Sequence, residues 1–162
     1  MCVVISDSEL MKLSEEFFKD YPYEKYPELL RKTDRTFDVI VFEGHGDYFI
    51  CIPFRSDMNE KNGAFFFKNT NRSKRGNSGV DFEKMVIIKD FKYLNNKSPI
   101  LLDRDEYERF SYFKSQIHEK AFDYLQTYMD YIKKNSSMLS RKFKRDYQFT
   151  TLKYFHKELG LE

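Results

Sequence analysis

Apolar positions follow two different periods along this chain. Up to residue 102 most of them come in short runs, separated by polar and glycine-containing segments, which is typical of strands joined by turns. From residue 103 they recur every three or four positions, which is typical of an amphipathic helix. The pattern therefore predicts a sheet that is followed by helices.

Several short runs are predicted to be strands. They are residues 2–5 (CVVI), 37–42 (FDVIVF), 48–54 (YFICIPF), 65–67 (FFF), 84–88 (KMVII) and 99–102 (PILL). The segment 44–47 (GHGD) lies between two of these runs and has the composition of a hairpin turn. Strands joined in this way predict an antiparallel sheet.

An N-terminal helix is predicted ahead of the sheet. Ser6 and Glu9 have the spacing of a capping box. The helix after them carries Leu10, Leu13 and Phe17 on one face, and the next proline ends it.

The longest helix is predicted downstream of the sheet. Asp103 has N-cap chemistry, and the helix after it is expected to span about 30 residues. Its apolar stripe consists of Phe110, Phe113, Ile117, Ala121, Leu125, Tyr128 and Ile132. Shorter helices are predicted at residues 27–30 and 151–159, and the latter ends at Gly160.

The whole chain is expected to be a single domain, residues 1–162, because no repeat or linker divides it. The order of its elements predicts the α+β class: a compact antiparallel sheet with added helices, one of them long and amphipathic. Hydrophobic residues make up 41% and charged residues 33%, which excludes a disordered chain. With 17 Phe and 12 Tyr, the core is expected to be rich in aromatic rings.

Cysteine usage and the N-terminus predict the compartment. Cys2 and Cys51 are the only cysteines, so no disulfide framework is expected and a reducing cytosol is the natural location. The N-terminus lacks the basic segment and apolar core of a signal peptide. No apolar run reaches the ~18 residues of a membrane span. The sequence predicts a cytoplasmic protein without a membrane partner.

Motifs for common cofactors are missing from the sequence. It contains no GxxxxGK, GxGxxG, CxxC or HExxH pattern. His45, His118 and His156 are scattered, and no cluster of acids and histidines has the spacing of metal ligands. We therefore expect neither a metal nor another cofactor.

Basic residues are concentrated in three runs. Residues 67–79 hold four cations and no acid in a segment rich in Gly, Asn and Ser, which predicts a mobile loop or a long connection between strands. Acids cluster elsewhere, at residues 15–16 and 103–108, so a polarised surface with a nucleic-acid face is predicted. The alternative is that these runs only solvate the surface. The candidate RNA-binding residues are Arg31, Lys32, Lys68, Arg72, Lys74, Arg75, Arg141, Lys142, Lys144 and Arg145.

The apolar run 48–54 stops abruptly at Arg55 and Ser56. A polar loop is the simple interpretation, and a site for an anion is the other. Ser56 has no neighbouring histidine in the sequence, so it is a poor nucleophile. RNA supplies its own nucleophile, the 2′-OH, and Arg, Lys and hydroxyl donors can stabilise the charge that develops on the phosphate. A metal-free ribonuclease with few histidines is therefore chemically reasonable.

Four blocks of the sequence resemble the toxins of type III toxin–antitoxin systems. They are residues 35–37 (RTF), 52–56 (IPFRS), 78–84 (SGVDFEK) and 150–156 (TTLKYFH), and they follow one another in the same order as in that family. The likeness is to the ToxN/AbiQ-like endoribonucleases, and within them to the CptN/TenpN branch.

This resemblance implies a fold, an activity and a partner. The fold would be a compact sheet or partial barrel of the MazF/PemK-like kind. The activity would be metal-independent cleavage of cellular and phage RNA through 2′-OH attack, leaving a 2′,3′-cyclic phosphate. The inhibitor would be a small repeated pseudoknot RNA, which the toxin processes and with which it forms a closed protein–RNA assembly. Growth arrest and defence against phage would be the outcome.

The resemblance also assigns site residues. Arg35 matches the cation that precedes a strand, and Arg55 and Ser56 match the pair that follows the proline-containing strand. Relatives carry Lys and His shortly after this serine, whereas this chain offers only Lys61. Thr150 matches a hydroxyl residue just before the last helix.

Two alternatives stay open at this point. His156 also matches the family pattern, and it is either a catalytic group or a packed residue that is hydrogen-bonded to backbone. The chain itself is either this ribonuclease or a non-catalytic RNA-binding module. Ser56 discriminates between the two, because a binding module does not need a hydroxyl at the sheet edge.

Overall fold

The computed structural model describes residues 8–31, 37–134 and 141–162. The strand predicted at residues 2–5 lies outside these ranges, and so does Ser6 of the predicted capping box. Of the candidate site residues, Lys32 and Arg35 are also outside them.

The fold combines one antiparallel sheet with three helices in the described part of the chain. The strands are β1 (Glu9–Leu13), β2 (Asp38–Glu43), β3 (Phe49–Met58), β4 (Ala64–Phe66), β5 (Asn77–Asp81), β6 (Val86–Ile88) and β7 (Leu94–Asn95). The helices are α1 (Glu15–Asp20), α2 (Arg104–Lys133) and α3 (Arg141–Tyr147), and there are 3-10 turns at Phe82–Lys84, Phe91–Tyr93 and Thr151–Tyr154.

The predicted α+β class is confirmed. The strand order is β4-β5-β3-β2-β1-β7, with β6 paired beside β3, and every pairing is antiparallel. Among the described residues β4 and β7 have no second partner, so the sheet stays open. Of the strands predicted within the described ranges, 37–42, 48–54 and 65–67 coincide with β2, β3 and β4, and the predicted hairpin joins β2 to β3.

The central strand β3 changes partners halfway along its length. Phe49–Cys51 pair with β2 on one side and β6 on the other, whereas Phe54 and Arg55 pair with β5. Pro53 lies at this change and has no N–H with which to donate to a neighbouring strand. Most of the apolar run 48–54 therefore lies in the central strand of the sheet. The polar residues after it, from Arg55 onward, continue the same strand.

The core lies between the sheet and α2, as the apolar stripe predicted. Phe110, Ile117, Ala121 and Leu125 are buried on α2. Rings from the sheet meet them edge to face, with Phe54 and Phe110 centroids 5.7 Å apart. Asp103 does precede the first residue of α2, but its side chain makes no capping hydrogen bond.

The predicted N-terminal helix is wrong over its first half. Residues 9–13 form β1, which pairs with β2 and β7, and the helix begins only after Ser14, whose hydroxyl accepts from the Phe17 amide. The buried ion pair between Lys12 and Asp38 joins β1 to β2 at a paired position. Tertiary pairing has overridden a helical spacing of apolar residues.

Four further predictions are corrected by the structure. Residues 27–30 form a turn and a bend rather than a helix, and residues 99–102 have no regular secondary structure, with Leu101 57% exposed. The last predicted helix is a 3-10 turn at Thr151–Tyr154 followed by further turns. In the run predicted at 84–88, only Val86–Ile88 is a strand. Besides β1, the strands β5 and β7 and the helix α3 were not predicted.

Candidate functional site

A buried carboxylate at the end of β5 forms ion pairs with two cations. The Asp81 side chain is inaccessible to solvent, and its Oδ2 accepts from Arg55 Nη1 at 2.6 Å and from Lys61 Nζ at 2.9 Å. Its other oxygen, Oδ1, accepts from the Glu83 amide at 3.1 Å and so caps the Phe82–Lys84 turn. Both oxygens of Asp81 are thus used, one for the backbone and one for the cations.

Local backbone geometry brings Asp81 to Arg55. Gly79 pairs with Arg55 across β5 and β3, so Asp81, two residues further on, faces the same side of the sheet. Gly79 has φ of 153°, and a Cβ there would lie 1.9 Å from the Phe65 carbonyl oxygen of β4. Only glycine allows β4 to approach β5 this closely.

Lys84 and Glu83 extend this group of charges. Lys61 Nζ also lies 3.5 Å from Glu83 Oε1. Burial lowers the pKa of Lys84; Arg55 and Lys61 lower it further, whereas Glu83 and Asp81 raise it. We call Arg55, Lys61, Asp81, Glu83 and Lys84 the Asp81 cluster. Its three cations and two carboxylates leave one net positive charge.

The C-terminal segment closes one side of the Asp81 cluster. Lys84 Nζ donates to the Phe149 carbonyl at 3.3 Å, and the Thr151 hydroxyl donates to the Met85 carbonyl, with the Glu83 carbonyl 3.2 Å away. Thr150 is buried, and its hydroxyl accepts from the Leu152 amide, which caps the last 3-10 turn. The predicted residue Thr150 therefore lies next to the cluster, but its oxygen already serves the backbone.

Ser56 lies apart from these charges. Adjacent residues of a strand point to opposite faces, and Ser56 lines a pocket of about 260 Å³ with Asp57, Arg72, Arg75 and Asp103. Asp57 interrupts the pairing there, with a positive φ of 55°. The structure thus brings Arg55 and Lys61 together and places Ser56 in a second site, the Ser56 pocket.

The basic loop between β4 and β5 is a hydrogen-bonded turn. Lys74 donates its amide to the Thr70 carbonyl at 3.2 Å, and the amide of Asn71 donates to Asp105 at 2.8 Å. Arg72 Nε lies 2.7 Å from Asp103 Oδ2, and this partner lowers the pKa of Asp103. The predicted separation of acids from this basic run is therefore wrong, because the acidic start of α2 holds the loop.

The other candidate RNA-binding residues have varied surroundings. Lys68, Lys74 and Arg75 are exposed on the loop, and Arg141, Lys142 and Lys144 are exposed on α3. Arg145 lies 3.4 Å from Asp146. Arg31 is only partly exposed, donates to the Tyr21 carbonyl and lies over the Phe18 ring.

The histidines pack against aromatic rings. His156 Nε2 is 2.6 Å from the Tyr128 hydroxyl, so it has a side-chain partner rather than the backbone partner that was one alternative. His45 and His118 stack on Phe122 and Phe42. No group of three or more His, Cys, Asp or Glu suited to a metal occurs in the described ranges.

A second pocket, of about 350 Å³, opens between α2, α3 and the segment before β4. We call it the aromatic pocket. Its rings are Phe82, Tyr124, Tyr131, Phe143 and Tyr147, and its polar side chains are Asn62, Lys120, Asp123, Thr127, Lys142 and Asp146.

No protein family, no curated protein and no solved structure matches this chain. The helices of the described ranges include none with the length and apolar character needed to cross a membrane.

Sequence reasoning did not assign Asp81, Glu83, Lys84 or Tyr124 to a site. A signal was present for the first three, because they lie in the block SGVDFEK that carries part of the family resemblance. Their meeting with Arg55 and Lys61 depends on the pairing of β3 with β5, which the sequence pattern did not show.

Proposed function

We propose that this protein is a metal-independent endoribonuclease, the toxin of a type III toxin–antitoxin system, and that the Asp81 cluster holds the phosphate that is cleaved. The observation that carries the proposal is the pair of cations, Arg55 and Lys61, fixed on one buried carboxylate. Their side chains remain 28% and 20% exposed, so both still face solvent. Cations held in place before substrate arrives stabilise developing charge without reorganisation.

The reaction uses the nucleophile of the RNA itself. The 2′-oxygen attacks the adjacent phosphorus, its proton passes to a base, and the bond from phosphorus to the 5′-oxygen breaks. The products are a 2′,3′-cyclic phosphate and a 5′-hydroxyl that has gained a proton. One N–H group of Arg55 donates to Asp81, and its other N–H groups can donate to the phosphate oxygens. Lys61 adds a second positive charge.

Lys84 is the proposed proton acceptor. Burial lowers its pKa, and Lys61 and Arg55 lower it further against the opposite effect of Glu83 and Asp81, so at a given pH a larger fraction of it is neutral than of an exposed lysine. A catalytic base works best when its pKa lies near the working pH. This assignment explains how the chain can act without a histidine beside Ser56.

The toxin assignment is supported by the four sequence blocks and their order. Two of them supply members of the Asp81 cluster, since Arg55 lies in IPFRS, and Asp81 and Lys84 lie in SGVDFEK. The partner proposed from the same likeness is a repeated pseudoknot RNA, which would occupy the exposed cations of the loop and α3. The proposed location is the cytoplasm, where message and phage RNA are accessible.

A non-catalytic RNA-binding module is the second candidate. The separation of Ser56 from Arg55 favours it, because the hydroxyl and the guanidinium predicted to act together belong to different sites. Both candidates bind RNA, and only the ribonuclease breaks it.

Cleavage of a mixed-sequence RNA by the purified protein in EDTA tests the proposal. We expect fragments that end in a 2′,3′-cyclic phosphate, and no cleavage where 2′-deoxynucleotides replace the ribose. Arg55→Ala should lower the single-turnover rate by on the order of a hundredfold. Arg104→Ala is the matched control, since that side chain is 93% exposed, and it should cleave normally. Tight binding of RNA without any cleavage would instead establish the binding module.

A further inference from the structure

The aromatic pocket directly adjoins the Asp81 cluster. Gly63 and Phe82 line the pocket, and the amide of Glu83, in the cluster, donates to the Gly63 carbonyl at 3.2 Å. Tyr124 also lines the pocket; burial raises the pKa of its hydroxyl, and the nearby charges of Glu83 and Asp81 raise it further. A ligand whose phosphate lay at the cluster would therefore place its neighbouring group at the pocket.

The walls of the pocket suit a flat ring. Its rings contact each other in pairs, with the Tyr124 and Tyr147 centroids 4.7 Å apart and those of Tyr131 and Phe143 4.6 Å apart, so a ligand would stack on this aromatic wall and not between the paired rings. A volume of about 350 Å³ lies at the lower end of the range for small-molecule sites. Aromatic side chains are the usual platform on which unpaired bases stack, because every base has a π-face.

The polar lining adds a chemical preference. Asp123 and Asp146 provide carboxylate oxygens, which only accept hydrogen bonds. The Tyr124 hydroxyl is buried and interacts with the Thr150 side chain. Lys120 and Lys142 supply cations that suit the phosphates on either side of a base. Acceptors favour adenine, cytosine and guanine, which carry an exocyclic amine, over uracil, which has no amine and whose one donor on the base edge is N3–H.

We propose that the aromatic pocket binds one unpaired nucleobase that carries an exocyclic amine, next to the phosphate held by the Asp81 cluster. The inference rests on the proposed function for its substrate class, RNA. It adds a physical basis for sequence preference. The base would be recognised by stacking on the aromatic rings and by hydrogen bonds to the carboxylates of α2 and α3.

Binding of RNA that cannot be cleaved tests this without relying on turnover. The probes are fluorescently labelled 2′-O-methyl octamers, one of uridine alone and one with a single central cytidine, compared by fluorescence anisotropy. Cytosine and uracil have the same size and differ at two edge positions: C4, where an amine replaces a carbonyl, and N3, which accepts in cytosine and donates in uracil. We expect the cytidine probe to bind roughly tenfold more tightly, within the range that one stacked and hydrogen-bonded base contributes.

Two variants connect the preference to the pocket. Thr127→Trp puts a large ring into the pocket from an exposed position of α2, and it should remove the preference. Gln126→Trp makes the same change at the adjacent exposed residue, which does not line the pocket, and it should keep the preference. Asp123→Asn should weaken the discrimination, because an amide can also donate to a carbonyl of uracil.

The outcomes separate this inference from the proposed function. Equal affinities for the two probes in the unchanged protein would overturn the inference, and so would a preference that survives Thr127→Trp. A protein that discriminates between the probes and loses this in Thr127→Trp, yet cleaves no RNA, would support the base site while overturning the ribonuclease.

Discussion

Lys84 is the residue whose surroundings bear most directly on chemistry. It lies among two carboxylates and two other cations, and burial lowers its pKa from the ordinary 10.5. In the unfolded chain this pKa returns to its usual value, so the unfolded state binds more protons between the two pKa values. Stability therefore rises with pH through that window, and at neutral pH the charged Lys84 has a cost.

The pH dependence of cleavage should reveal this lysine. If Lys84 accepts the 2′-OH proton, the rate rises with pH and levels off below the pH at which an ordinary lysine loses its proton. Lys84→Arg keeps the charge but stays protonated, so the rise should disappear and the rate fall by on the order of a hundredfold. Single-turnover rates between about pH 6 and 9 measure this. Lys89→Arg, at an exposed lysine, is the control, and a variant at Lys84 with the profile of the unchanged protein would exclude this role.

Ser56 allows a second test at this scale. Its place in a separate pocket, with Arg72 and Arg75, favours a role in holding RNA over a role at the cleaved phosphate. We expect Ser56→Ala to change the cleavage rate by less than about tenfold, whereas loss of a transition-state donor costs about a hundredfold or more. A hundredfold loss in single-turnover cleavage, with affinity unchanged, would place the chemistry in the Ser56 pocket instead.

At the scale of elements, β4 and β5 position the acid that organises the cluster. Gly79 permits their close approach, and Asp81 follows two residues later at the end of β5. The position of this carboxylate therefore depends on a strand pair rather than on a flexible loop.

Alanine at two glycines should separate crowding from backbone strain. Gly79→Ala places a Cβ 1.9 Å from a backbone oxygen, so we expect a loss of about 3 kcal/mol in the free energy of unfolding. Gly160 also has a positive φ, of 72°, but nothing lies within 4 Å of its Cβ position. Gly160→Ala should cost only about 1 kcal/mol. Urea denaturation measures both, and equal losses would mean that the approach of β4 is not what requires Gly79.

The cations of the loop between β4 and β5 should contribute unequally to RNA binding. Arg72 is engaged by Asp103, whereas Lys74 and Arg75 are exposed. Alanine at Lys74 or Arg75 should each reduce the salt dependence of RNA binding by about one log–log unit, and Arg72→Ala by less. Affinity measured across a series of salt concentrations checks this. Equal reductions for all three variants would mean that RNA displaces Asp103 from Arg72.

At the scale of the whole molecule, the proposed toxin acts by destroying message. Overproduction of this chain alone should stop bacterial growth, and co-expression of its pseudoknot RNA should restore it. Arg55→Ala, made in similar amounts, should permit growth. Culture density after induction, together with the amount of folded protein, is the measurement. Normal growth with abundant folded protein would count against the toxin assignment.

Part of this fold was predictable because its signals are local. The hairpin of β2 and β3 follows from two apolar runs around a glycine-containing turn, and α2 follows from a stripe that repeats over 30 residues. Neither requires knowledge of distant residues. The candidate residue Arg55 follows in the same way from the abrupt end of an apolar run, whereas Lys61 was predicted only from the resemblance to the toxin family.

The sequence by itself therefore determined the class, the long helix, the central hairpin and the presence of cations beside it. Tertiary structure alone decided that residues 9–13 are a strand, that Arg55 and Ser56 belong to different sites, and that Asp81 meets Arg55 from 26 residues away. The physical reason is that strand pairing is non-local: a segment with helical spacing or a glycine-rich composition becomes a strand when a neighbouring edge satisfies its backbone. Which charged side chains become partners then depends on which strands pair with each other.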